Sequence, residues 1–145
     1  MSRVVVNEIE AKVGNDITFN DIVKIDTLKG KTTAGSITVQ GEGTATTNLQ
    51  QGLAKSWVDL NGGTADDSFN LGSDTDNGTG NYSFTFTANM SNANYSVSGS
   101  AGTNSNVMHC ITAKATTGIT VNHRDYSNTL TDLVNSMSTV HGDLA

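Results

Sequence analysis

Four side chains in this 145-residue chain have the chemistry of soft metal ligands: His109, Cys110, His123 and His141. No two of them stand at the i, i+4 or C-x-x-C spacing that gathers ligands into a structural zinc site. His109 lies in the run Val107-Met108-His109-Cys110-Ile111, where alternation puts Val107, His109 and Ile111 on one face of a strand. That pattern predicts a partly buried, hydrogen-bonded histidine, with no metal and no other cofactor. One histidine repeated around a threefold axis is the arrangement that would still make a metal site.

Carboxylates come next. Asp74-Thr75-Asp76-Asn77-Gly78 invites a calcium reading, but an EF-hand loop needs its glycine one position later and a distal glutamate. Asn77-Gly78 is instead the signature of a tight hairpin turn, because both residues tolerate positive φ. Paired carboxylates could cleave glycans, yet Asp66 and Asp67 are sequence neighbours, and neighbours on a strand point to opposite faces. A serine hydrolase needs a nucleophile, a base and an orienting group. His123-Arg124-Asp125 are contiguous and no G-x-S-x-G elbow occurs. No catalytic residue is assigned, and an enzyme is not expected.

Charge narrows the partners. The chain carries a net charge of −6, whereas nucleic-acid binders cluster Lys and Arg against phosphates. The one basic group, Lys24, Lys29 and Lys31, is diluted by Asp21 and Asp26. No nucleic acid and no membrane insertion are expected, since no apolar run approaches a bilayer span and no signal-peptide pattern opens the chain. The chain is expected to be made in a bacterial cytoplasm, and assembly into a particle is one route out of it.

The elements that must carry these residues are mostly strands. Hydrophobic residues make up 35% and charged residues 15%, and Ser, Thr, Asn and Gly fill the difference without any proline. Period-2 alternation runs through Glu8–Val13, 17–19, Val23 and Ile25, and Ile37 and Val39. Such short strands, each with one narrow apolar face, are marginal alone, and winding around identical chains would bury them. Leu49, Leu53 and Trp57 recur every four residues and predict one stripe of a short helix, either a seam at a trimer interface or a cover for one end of a β-core. From Trp57 onward, strands are expected near 57–60, 68–71, 82–87, 94–99, 106–114, 118–123 and 133–141, which suggests a sandwich. In Tyr82-Ser83-Phe84-Thr85-Phe86-Thr87 the aromatics share one face and the hydroxyls the other. The expected fold class is therefore mainly β. An antiparallel β-sandwich of about seven strands (with a short helix, residues 47–145) follows a 1–46 segment of short strands, intertwined in a homotrimer.

Residues 45–99 also carry four ordered motifs: Leu49, Gly52, Ala54, Lys55 and Trp57; then Asp67-Ser68-Phe69-Asn70; then Asp76-Asn77-Gly78-Thr79-Gly80 with Tyr82; then Ala93-Asn94-Tyr95 with Val97 and Gly99. Together with Thr32–Val39 upstream, they resemble a module of tail fibres and related appendage proteins of marine and cyanobacterial phages. The chain departs from it at Met90-Ser91, where that module has Met-Pro. The resemblance implies a structural bacteriophage virion protein, a trimeric short tail fibre. Segment 1–46 would attach it to other virion proteins, and the sandwich would contact the host. Polar loops carrying Asn104 and Asn106, and Tyr126 and Asn128, are the expected receptor contacts, with a host-surface glycan as the ligand. The rival readings are a capsid decoration protein or head fibre, and a carbohydrate-binding module of a secreted bacterial protein.

Overall fold

A computed structural model of the chain describes residues 22–30, 37–40, 44–102 and 106–145. The expected strands at 8–13 and 17–19 lie outside the described residues. Val23 and Ile25 do not form the strand their alternation suggests: residues 22–30 have no regular secondary structure. Their apolar side chains and that of Leu28 are exposed.

The first elements are a small hairpin, β1 (Thr38–Gln40) with β2 (Thr46–Asn48), and a single helical turn, α1 (Leu49–Gly52). The helical stripe through Leu49, Leu53 and Trp57 is not formed. The helix ends at Gly52, Leu53 sits exposed in a bend, and Trp57 lies inside a strand. A four-residue turn cannot sustain a helix without packing, and the run Ser56–Leu60 alternates in burial as a strand does.

Eight strands follow: β3 (Ala54–Asn61), β4 (Thr64–Phe69), β5 (Leu71–Asp76), β6 (Asn81–Phe86), β7 (Ser96–Ser100), β8 (Val107–Ala115), β9 (Gly118–Asp125) and β10 (Ser136–His141). They form two four-stranded antiparallel sheets, ordered β4-β3-β10-β7 and β5-β6-β9-β8. The expected strand at 68–71 is instead a corner where the chain leaves one sheet for the other, so eight strands stand where seven were expected. Asn70 turns the corner at φ 57°, which asparagine tolerates better than most residues. Its amide donates to Lys55 O at 2.8 Å and Ala88 O at 3.0 Å, and its Oδ1 accepts from Ala88 N at 2.6 Å.

The two sheets share one core, a sandwich-like arrangement. Val58 and Leu60 from β3 and Val140 from β10 meet Tyr82, Phe84 and Phe86 from β6 and Ile119 and Val121 from β9. Each such large apolar side chain contributes roughly 1.5–3 kcal/mol on burial. Tyr95 packs edge-on against Phe86 with ring centroids 6.0 Å apart. Its hydroxyl reaches both Ala115 O and Gly118 O at 2.9 Å. The flanks are stitched as well. Ala65 N donates to Asp74 Oδ2 at 3.0 Å between edge strands β4 and β5, and Lys114 Nζ donates to Tyr95 O at 2.8 Å beside edge strand β8. No helix among the described residues is long and apolar enough to cross a membrane.

Candidate functional site

Toward one end, the core turns polar. Ser136, Ser138 and Val140 alternate inward on β10, and Ile119, Val121 and His123 do so on β9. The hairpin of β8 and β9 places His109 directly opposite His123. Ser138 Oγ lies 3.2 Å from His109 Nε2, and His109 Nδ1 lies 3.2 Å from His123 Nε2. The phenol of Tyr82, whose ring centroid is 5.3 Å from that of His123, donates to Asp132 Oδ1 at 2.9 Å. Gly80 N donates to the same oxygen at 2.6 Å.

This line of groups has the order nucleophile, base, second imidazole, so its chemistry needs testing against its setting. Burial, and then the neighbouring His123, hold the His109 pKa down to about 4. Burial also lowers the pKa of His123, partly offset by Asp132. Both rings are neutral at neutral pH, and a single proton lies between them. If His109 donates to His123, Ser138 donates to His109 Nε2 and His123 keeps a buried N–H. If His123 donates, His109 Nε2–H faces Ser138 and His123 Nδ1 is a bare lone pair. In either tautomer His123 Nδ1 has no partner, and neither has Ser136 Oγ. Ser138 is only 2% exposed, so no substrate carbonyl reaches its hydroxyl in this structure. The group acts as a hydrogen-bonded polar layer joining the two sheets.

Two glycines make room for it. At Gly99 a Cβ would strike the His109 ring and would come within 2.6 Å of Met137 O. At Gly80, φ is +60° and a Cβ would meet Thr131 N at 2.6 Å and His123 O at 2.8 Å. His109 thus sits hydrogen-bonded and partly buried on the face with Val107 and Ile111. Cys110 lies on the opposite face, across from Asn122. Among the described residues no three His, Cys, Asp or Glu side chains gather into a metal-ligating group.

The expected receptor loops fall in different places. Asn104 lies outside the described residues, and Asn106 is exposed in the turn before β8. Tyr126 is 77% exposed in the turn after β9. That turn is ordered by Asp125 Oδ1, which accepts from Ser127 N and Thr129 N, and by Arg124, which donates to Asn128 O at 2.9 Å. Asp74–Gly78 ends β5 and makes the expected hairpin turn: Asn77 N donates to Asn81 O at 2.8 Å, and Gly78 N donates to Asp76 Oδ1 at 2.8 Å.

Sequence reasoning missed both cross-strand meetings that matter here, and one device explains both. Counted back from its turn, β8 would set His109 opposite Arg124; a β-bulge between Ile111 and Ala113 shifts the register and brings His123 instead. Counted from the Gly62-Gly63 turn, β4 would set Trp57 opposite Ser68. A bulge at Asp66 brings Phe69 there, and sets Asp67 opposite Asp59. The aromatic pair therefore lies on the outer face of β4-β3-β10-β7, away from the loops where aromatic contacts were expected. The weak signal for the second bulge was Asp66-Asp67 in a run that otherwise alternates.

The four ordered motifs of residues 45–99 fall largely on structural points: Asn70 at the corner, Gly80 and Tyr82 at the polar layer, Tyr95 in the core, and Gly99 against His109. The chain is thus a mainly β domain of two antiparallel sheets around one core. No protein-family model matches it, and no curated protein or solved structure matches it.

Proposed function

We propose that the chain is a structural, non-enzymatic bacteriophage virion protein, a short tail fibre that works as a homotrimer. Its N-terminal segment attaches to other virion proteins, and the two-sheet domain faces the host surface. One observation supports this reading above the others: Val23, Ile25 and Leu28 are exposed on a segment without regular structure. Apolar side chains exposed in this way gain burial by packing against identical chains. Three identical domains held together would also let weak host contacts act with avidity.

The experiment is localisation of the protein on intact particles by labelled electron microscopy, together with light scattering of the purified chain. Tail labelling and a mass of three times 15.1 kDa are expected. Labelling over the capsid would make the protein a decoration protein or head fibre. A stable monomer at micromolar concentration would remove the trimer.

A second reading, a carbohydrate-binding module of a secreted bacterial protein, is favoured by the outward Trp57–Phe69 pair. Absence of label from every part of the particle would select it.

A further inference from the structure

The outer face of β4-β3-β10-β7 is a grid built by strand register. One row across all four strands reads Phe69, Trp57, Thr139, Ser98. The next row reads Asp67, Asp59, Met137, Ser100. At the spacing of neighbouring strands, each row spans about 14 Å. Phe69 is 51% exposed, Trp57 is half-buried, and Ser98 and Ser100 are exposed.

The polar groups in these rows are open. Among the described residues the side chains of Trp57, Asp59, Ser98, Thr139 and Ser100 make no hydrogen bond. Asp67 uses one carboxylate oxygen, which accepts from Ser68 N. The opposite outer face is unlike this. There Ser73 pairs with Thr85 at 2.7 Å, Ser83 with Thr120 at 3.1 Å, and Asn77 donates to Ser83 at 2.8 Å. Its hydroxyls pair with one another, and it carries no aromatic side chain among its inner two strands, whose outward side chains are Asn81, Ser83, Thr85, Thr120, Asn122 and Arg124.

We propose that the outer face of β4-β3-β10-β7 binds a neutral oligosaccharide, with the Trp57–Phe69 pair as its stacking platform. The proposal rests on the host-contact reading for its biological purpose. An aromatic face takes the C–H face of a sugar ring, and the surrounding donors and acceptors take its hydroxyls. Asp59 and Asp67 stand directly opposite each other, an arrangement that costs stability on a bare sheet. Both accept hydrogen bonds from sugar hydroxyls without needing a countercharge. Their charge, on a chain of net −6, repels phosphate, uronate and sialate groups. It also disfavours a second copy of the same face, since face-to-face docking would gather four carboxylates.

Trp57 is the sole tryptophan, so its emission reports this face directly. The test titrates the full-length protein with maltohexaose, cellohexaose, chitohexaose and mannohexaose, and with hexagalacturonate as the anionic control. At least one neutral sugar is expected to shift Trp57 emission saturably, while hexagalacturonate leaves it unchanged. Phe69→Ala, at an exposed position, is expected to weaken that sugar by about tenfold, with the emission maximum of the free protein preserved as the check on folding. Trp57→Phe, read by calorimetry, keeps most of the affinity.

No response to any neutral sugar, equal affinity in Phe69→Ala, or a stronger response to hexagalacturonate overturns the inference. So does a change in oligomeric mass in Phe69→Ala, which would make the face a contact between copies. The virion reading fails separately: a sugar response from a protein found on no particle sinks that reading and leaves this one, and an unresponsive trimer on the tail does the reverse.

Discussion

Both outer faces of this domain carry short hydroxyl-bearing residues, yet those hydroxyls are in opposite states. On β5-β6-β9-β8, Ser73, Thr85, Ser83 and Thr120 bond to one another across strands. On β4-β3-β10-β7, the side chains of Ser98, Thr139 and Ser100 make no hydrogen bond among the described residues and lie beside half-buried Trp57 and exposed Phe69. Opposition in register is not sufficient for pairing: Ser73–Thr85 and Ser83–Thr120 bond across strands, whereas Thr139 and Ser98, also directly opposite, do not. One polar face is thus closed by its own cross-strand bonds, and the other leaves its hydroxyls open beside two aromatic side chains.

The largest test concerns the polar layer that holds the two sheets in register with each other. Gly99→Ala would drive a methyl group into His109 and against Met137 O. It is expected to lower unfolding stability by about 2–3 kcal/mol, read by urea denaturation. An unchanged midpoint would mean the sheets are not coupled through His109. Next in size is pH. The folded pKa of His109, about 4, lies below its unfolded value near 6.5, so the unfolded chain binds more protons between those limits. Its contribution is complete above about pH 6.5 and is lost as pH falls toward 4. His123, Ser138, Tyr82 and Asp132 are the groups around it. Relative to His109→Gln, the natural protein should lose on the order of 2 kcal/mol across that window, a figure reduced for the partly exposed ring. Parallel pH profiles for the two proteins would refute this.

Smaller effects address the faces themselves. Ser83→Ala removes bonds to Thr120 and Asn77 and should cost about 0.5–1 kcal/mol in thermal or chemical unfolding. Ser98→Ala and Thr139→Val remove no bond and should change stability by less than about 0.5 kcal/mol. Equal costs on both faces would erase the distinction between them.

How much of this could be read from the sequence follows from what alternation can and cannot see. The alternating faces of Tyr82–Phe86, of Val107–Ile111 and of the Ile119–Val121 strand were legible, because burial on one side of a strand imposes period 2. The turn at Asn77-Gly78 was legible from its chemistry. The corner at Asn70 was not, because a one-residue gap between β4 and β5 looks like a continuous strand. Leu49, Leu53 and Trp57 imitate a helix by spacing alone, whereas the residues from Ser56 onward follow the strand period. The His109–His123 and Trp57–Phe69 meetings depend on single-residue bulges, which shift register without a strong local signature.

The claim on which the rest turns is that the Trp57 face is open in the free protein and closes over a ligand. Acrylamide quenching of Trp57 emission in the purified protein tests it most directly, first without sugar and then with the tightest neutral hexasaccharide. Efficient quenching alone and protection on adding sugar are expected. A tryptophan shielded from acrylamide before any sugar is added would contradict the account, because the face would already be covered by another copy of the chain.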